Sequence, residues 1–325
     1  MFAVRGVAVS FSIFVILYVV LSATVSGAWR WIWSYAEKRP AERGADLLFA
    51  LRVAPFAIAT AVTVFFAVPS FLWLEPRSGN EPVGFAAWLL GLCGVAVLAA
   101  GVGKAVASWA RASRAIARWS REASAANSAA LESIRNSRIA ISVLRNSAGA
   151  PPLTAAGIFR PSVWLSGAAE FVLSEKELRT ALRHEAVHVR RRDNLRKLLL
   201  RLLEFPGMAA MENAWREASE MAADDAAVSS AAEALDLASA VLALSRLAPL
   251  QPPEELTTAL VHSPAESVNA RVERLIAWPE RQQAPGEKPS LVYALCAGLA
   301  VTATLAVTYS ALLVRVHAAT EWLVR

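Results

Sequence analysis

Four stretches of this chain carry no charged residue: 6–29, 53–74, 82–103 and 289–314. Each is 22 to 26 residues long, and about 20 apolar residues in a helix cross the hydrocarbon core of a bilayer. Buried helices of soluble proteins seldom stay uncharged that long, so the pattern predicts four transmembrane helices. Pro55 and Pro69 in the second stretch, and the glycines of the third, suit helices that pack on neighbours inside a membrane. The first stretch has a rival reading as a cleaved signal peptide, with Arg5 ahead of the apolar run and Ser26-Gly27-Ala28 as a small-residue cleavage site. A retained span is favoured. The run is longer than a signal-peptide core and leads into Trp29, Trp31, Trp33 and Tyr35, an interfacial aromatic belt.

Between the third and fourth stretches the pattern changes. Residues 104–130 read as a helix continuing out of the third span, and 139–144 and 162–166 as short strands. A helix opens at Ser174, with Glu177 completing a capping box, and runs through the arginine cluster near 190. Leu195, Leu198, Leu199, Leu202 and Leu203 then recur at helical spacing until Pro206-Gly207. Further helices are expected at 210–229, 231–247 and 265–277, with linkers at 122–130 and 281–289 and no internal repeat.

Composition agrees with the pattern. The chain of 325 residues is 56% hydrophobic and 18% charged, with a mean hydropathy of +0.41. Soluble domains are about 45–50% apolar and about 25% charged, so an ordinary soluble protein and extensive disorder are both excluded. The net charge of +6 is explained by where the basic residues fall. Arg30, Lys38, Arg39, Arg43 and Arg52 precede the second stretch, only Arg77 lies between the second and third, and Lys104, Arg111, Arg114, Arg118 and Arg121 follow the third. Basic, bare, basic places the N-terminus outside and the loops 30–52 and 104–288 inside. The resulting division is a span at 6–29, a cytoplasmic loop at 30–52, a span at 53–74, an external loop at 75–81, a span at 82–103, a cytoplasmic domain at 104–288, a span at 289–314 and an external tail at 315–325. No nucleic-acid motif accompanies the charge, so direct nucleic-acid binding is not expected. Cys93 and Cys296 both sit in apolar runs, so neither a disulfide framework nor a cysteine metal site is expected.

The chemistry concentrates in His184-Glu185-Ala186-Val187-His188, which spends two of the four histidines inside one capped helix. Histidines at i and i+4 share a helix face and converge on one zinc ion at about 2.0–2.1 Å each. Glu185 is then the general base for water on the metal's open side. The third ligand is expected at Glu220, with Glu212 and Glu217 as rivals; Asp224, one turn after Glu220, is placed to accept the spare ring N–H of a ligand histidine. His262 and His317 read as incidental. Val163, Trp164 and Leu165 read either as a core strand or as an edge to which an extended peptide substrate adds. Arg190 to Arg192 with Arg196, Lys197 and Arg201 read either as a site for anionic headgroups or as a solvated helix face.

HEAVHVRRRDNL, followed about thirty residues on by EMAADD, resembles the BlaR/MecR-type antirepressor membrane metallopeptidases. The resemblance extends to FRPSVWLS before the helix, to SVNARVERL at 267–275, and to the order of three spans, protease and one span. It implies His184, His188 and Glu220 as ligands of one Zn(2+) per chain, Glu185 as base and Asp224 as the partner behind a ligand. It also implies cleavage of a winged-helix BlaI/MecI-like repressor on the cytoplasmic side. No penicillin-binding sensor is seen after the last span, so a β-lactam is not the expected signal.

The expected fold is thus a mainly α integral membrane protein, with four transmembrane helices and a cytoplasmic α+β gluzincin-like zinc protease domain containing a small β-sheet. The expected protein is multi-pass in the bacterial cytoplasmic membrane, with the lipid bilayer and a protein substrate as partners. An HtpX-like quality-control protease and a catalytically degenerate signalling scaffold are the alternatives.

Overall fold

A computed structural model of the chain describes residues 2–76, 84–121, 124–125, 142–146, 151–247, 257–259, 265–278 and 308–319. Most of the fourth expected span, most of the linker at 122–130, the linker at 281–289, the start of the 139–144 strand and His262 lie outside the described residues.

Among the described residues, three helices are long and apolar enough to cross a membrane. The first is α1 (Phe2–Gly27), followed by a short helix α2 (Trp29–Ala36). The second is α3 (Ala41–Val62), which continues through a π-helical turn (Thr63–Ala67) into α4 (Val68–Leu74). The third is α5 (Phe85–Ser120). In lipid a helix satisfies its own backbone groups, and small residues let two helices approach closely. A Cβ at Gly91 of α5 would lie 2.9 Å from the Ala8 carbonyl oxygen of α1. The π-turn has a local cause. Pro69 has no N–H, and its ring clashes with the carbonyl four residues back, that of Phe65. The widened turn releases that carbonyl, which accepts from the Tyr309 hydroxyl at 2.8 Å. Tyr309 belongs to the helical segment 308–319, which also receives Ser70 Oγ at the Leu313 carbonyl.

Two boundaries differ from the sequence reading. The expected loop at 30–52 is helical for most of its length, because Ala45 and Leu48 of α3 are buried against Met211 and Trp215 of a downstream helix. The expected helix at 104–130 stops at Ser120, and Ser124–Ala125 form a strand instead.

That strand, β1, begins a five-stranded mixed sheet of order β1-β2-β4-β3-β5, with β2 at Ser142–Asn146, β3 at Leu153–Ala156, β4 at Ser162–Ser166 and β5 at Thr257–Ala259. β2 runs parallel to β4, and the other pairs are antiparallel. Helices cover the sheet: α6 (Gly167–Val172), α7 (Glu175–Arg191), α8 (Asp193–Leu202), α9 (Ala209–Ala227), α10 (Ala231–Leu247) and α11 (Ala265–Ile276). The main core joins Leu153, Val163 and Leu165 of the sheet to Leu178 and Leu182 of α7, Leu237, Val241 and Leu244 of α10 and Leu275 of α11. α7 starts with the expected capping box: Ser174 Oγ accepts from the Glu177 N–H, and Glu177 accepts from the Ser174 N–H at 2.8 Å.

Candidate metal centre

His184, Glu185 and His188 follow one another along α7 and are buried. The two imidazoles stand one turn apart with their Nε2 atoms 3.0 Å from each other. Glu220 of α9 faces the pair with both carboxylate oxygens, Oε2 at 3.5 Å from His184 Nε2 and Oε1 at 3.5 Å from His188 Nε2. The ligand-type atoms of the three side chains all lie within 4.8 Å of one another. Among the described residues this is the group of His, Cys, Asp and Glu arranged to hold a metal ion. Glu212 and Glu217, the rival third ligands, are not part of it. Glu217 instead lines a groove with Glu42 and Leu48 of α3 and Met221 of α9.

The ring orientations explain why this group suits a cation. His184 Nδ1 lies 2.9 Å from Asp224 Oδ1, and His188 Nδ1 lies 2.6 Å from Asp193 Oδ2. An ionised carboxylate only accepts, so His188 Nδ1 donates to Asp193, Asp224 stands beside His184 Nδ1, and both Nε2 atoms face inward toward each other. Two lone pairs and a carboxylate then converge in a buried site and repel each other unless a positive charge lies among them. Four-coordinate zinc with bonds of about 2.0–2.1 Å sets its ligand atoms ~3.3 Å apart, close to the separations seen. The same negative field acts on the ionisation of the site. Burial alone would lower the His188 pKa, but the charges of Glu220 and Asp193 outweigh it and push it up to about 10. Burial would raise Glu220, yet His188 and Arg271 hold it well below the usual carboxylate range.

Glu185 is held differently. Its Oε2 accepts from the backbone N–H of Ala155 in β3 at 2.8 Å, and its Oε1 is buried without a hydrogen-bond partner among the described residues. Burial pushes its pKa up to about 7, against the opposing charges of the histidines. A carboxylate poised near neutrality suits proton transfer.

Asp224 takes the place expected of it, behind His184. Two further residues carry roles the sequence reading did not assign. Arg271 of α11 donates to Asp224 through Nε at 2.9 Å and Nη2 at 2.6 Å, and its Nη1 lies 3.1 Å from Glu220. Burial would raise Asp224, but this guanidinium holds it far below the usual range. The signal was present: Val268, Arg271, Val272 and Leu275 form one buried helical stripe with a single arginine in it. Asp193 follows Arg192, a non-glycine residue at φ 55° that ends α7 and turns the chain directly into α8. That corner brings the Asp193 carboxylate back over His188, where Ser219 Oγ also donates to it at 2.9 Å. Helical spacing could not reveal this, because a corner interrupts the helix.

Two expectations are corrected. β4 has strand partners on both sides, and Val163, Trp164 and Leu165 are fully buried, with Trp164 packed edge-on against Trp119. No edge is open there for a substrate strand, so these residues are core. The basic cluster also fits neither of its readings throughout. Arg191 pairs with Glu42 at 3.3 Å and with Asp46 at 3.1 Å, and Arg196 pairs with Asp46 at 2.8 Å, so these two fasten the domain to α3.

A family model described as BlaR1 peptidase M56 matches residues 76–277, which include the whole of the site. No curated protein matches the chain. Family membership implies a protease acting on a protein substrate, and the three apolar helices imply a lipid environment. The chain belongs to the BlaR1 peptidase M56 family of membrane-associated metallopeptidases.

Proposed function

We propose that this protein is a zinc-dependent endopeptidase of the bacterial cytoplasmic membrane. In this reading it cleaves a protein on the cytoplasmic side and thereby relays a signal to a transcriptional repressor. The observation that carries it is the convergence of His184 Nε2, His188 Nε2 and the Glu220 carboxylate, with each Nδ1 held by its own aspartate. Two nitrogens and one oxygen leave a fourth position for water or substrate, the arrangement of catalytic rather than structural zinc.

Zinc, when bound, supplies a Lewis acid that acidifies water and polarises a peptide carbonyl. The remaining work belongs to the chain. Glu185 takes the proton from the attacking water at its free Oε1 and passes it to the leaving amine. The Ala155 N–H keeps Oε2 in place during both transfers. Asp224 and Asp193 hold the imidazoles in the tautomer that presents Nε2. Arg271 offsets the charge of two carboxylates confined to one buried corner.

The division proposed is spans at 6–29, 53–74, 82–103 and 289–314, with the peptidase domain inside. The pairing of Arg191 and Arg196 with Asp46, and of Trp215 with Phe49, supports it by putting the first loop and the peptidase on the same side. The substrate proposed is a winged-helix BlaI/MecI-like repressor. Glu185→Gln is expected to keep the fold and the metal and to lower kcat at least about 100-fold. A fully active variant would remove the mechanism. Sequencing the cleavage products then identifies the substrate class: one site in a regulator supports the signalling role, and many sites in misfolded membrane proteins would replace it with an HtpX-like one.

A further inference from the structure

The turn between α8 and α9, residues 203–208, is gripped by all three apolar helices. The Leu203 carbonyl accepts from Tyr18 Oη of α1 at 2.8 Å and from Arg52 Nη2 of α3 at 2.6 Å. The neighbouring Leu202 carbonyl lies where a side chain at Gly101 of α5 would be, 2.2 Å from an added Cβ. Lys104 of α5 pairs with Glu204 at 2.7 Å, and Ser26 of α1 donates to the Gly207 carbonyl at 3.1 Å.

Arg52 is the informative member. It is only 2% exposed, and its Nε and Nη1 are buried without hydrogen-bond partners among the described residues. Such a charge is costly to keep in an apolar bundle and contributes little to stability there. What it does is hold one carbonyl. Both halves of the metal group depend on the same turn. α8 is ten residues long, a rigid rod of ~15 Å. Its far end carries Asp193, bonded to His188, and Asn194, whose Nδ2 donates to the carbonyls of Ala155 and Gly157. α9 leaves the turn in the other direction and carries Glu220.

We propose that Tyr18 and Arg52 are positioning residues that set the geometry of the metal group from within the membrane, by seating the α8–α9 turn. A shift among α1, α3 and α5 moves the Leu203 carbonyl, and α8 and α9 carry that shift to Asp193 and Glu220. This inference rests on the proposed metal centre.

The test uses the full chain in detergent or nanodiscs. The variants are Tyr18→Phe and Arg52→Gln, with Arg52→Lys as the conservative rescue and Thr60→Val as a control within the same bundle. Zinc affinity is measured by chelator competition, and site geometry by the absorption spectrum of the cobalt-substituted protein. Expected are an affinity loss of about 10-fold or more and an altered cobalt spectrum in Tyr18→Phe and Arg52→Gln. Arg52→Lys should recover part of the loss, and Thr60→Val should match the parent. Unchanged affinity and spectrum in Tyr18→Phe, beside a metal-loaded parent, would overturn this inference and leave the metal centre standing. A parent that binds no metal would instead remove the metal centre and this inference with it.

Discussion

Asp193 is hydrogen-bonded to His188 Nδ1, Asp224 lies 2.9 Å from His184 Nδ1, and each carboxylate is almost fully buried. Losing such a carboxylate typically lowers metal affinity about 10–100-fold. Asp193→Asn is therefore expected to weaken zinc binding by that factor while Glu185 stays in place, as read by chelator competition. Arg271 faces Asp224 and Glu220 together, so Arg271→Met leaves two buried carboxylates without their cation. Breaking a buried pair in this way costs about 3–5 kcal/mol, and a fall in the melting temperature of the metal-free protein reports it. Glu185 behaves in the opposite sense. Its pKa rises from an ordinary 4.5 to about 7 on folding, so its favourable contribution is complete below 4.5 and is lost as pH climbs through 7. Metal-free Glu185→Gln should therefore gain stability relative to the parent as pH rises from 4.5 to 7. A constant difference across that window would contradict the burial argument. At this scale i and i+4 spacing within single helices singled out the pair His184 and His188 and the pair Glu220 and Asp224, and the fold brings His184, His188 and Glu220 together. Asp193 and Arg271 reach the site across a corner and from a separate helix, and spacing carries no such information.

Among the elements, α7 was legible almost to the residue, because Ser174 and Glu177 announce its start. Replacing Ser174 with Ala should cost about 1 kcal/mol, measurable by denaturant unfolding, without changing metal affinity. Its end was less legible. Arg192 adopts a left-handed conformation that glycine or asparagine usually fills, and an arginine run reads as continued helix. The sheet was only partly visible. The run at 162–166 identified β4, but pairing on both of its edges depends on residues far away in sequence, so an apolar strand could not be assigned to edge or centre. The second apolar helix shows the same limit. Its charge-free stretch was clear, yet its extension back to Ala41 depends on the burial of Ala45 and Leu48 against α9.

For the molecule as a whole, charge-free length and the placement of basic residues carried most of the information. Three of the four charge-free stretches fall largely within helices apolar and long enough to cross a membrane, and α3 packs against α9 of the peptidase. What they could not show is how the apolar bundle touches the peptidase. Tyr18 and Arg52 meet the Leu203 carbonyl of the α8–α9 turn, Gly101 meets the Leu202 carbonyl at the end of α8, and backbone contacts leave no trace in side-chain periodicity. Topology itself is testable. Single cysteines introduced at Lys38 and Arg118 should be labelled only from the cytoplasmic face of sealed vesicles; labelling from the outside would invert the proposed orientation.

The central claim is that His184, His188 and Glu220 enclose one zinc ion. X-ray absorption at the zinc edge, with metal counting on the purified full chain, tests it most directly. The account predicts one zinc per chain with imidazole nitrogens at about 2.0–2.1 Å, and loss of that zinc in His184→Ala, His188→Ala and Glu220→Ala. Zinc far below one per chain, or full zinc retained in all three variants, would contradict it.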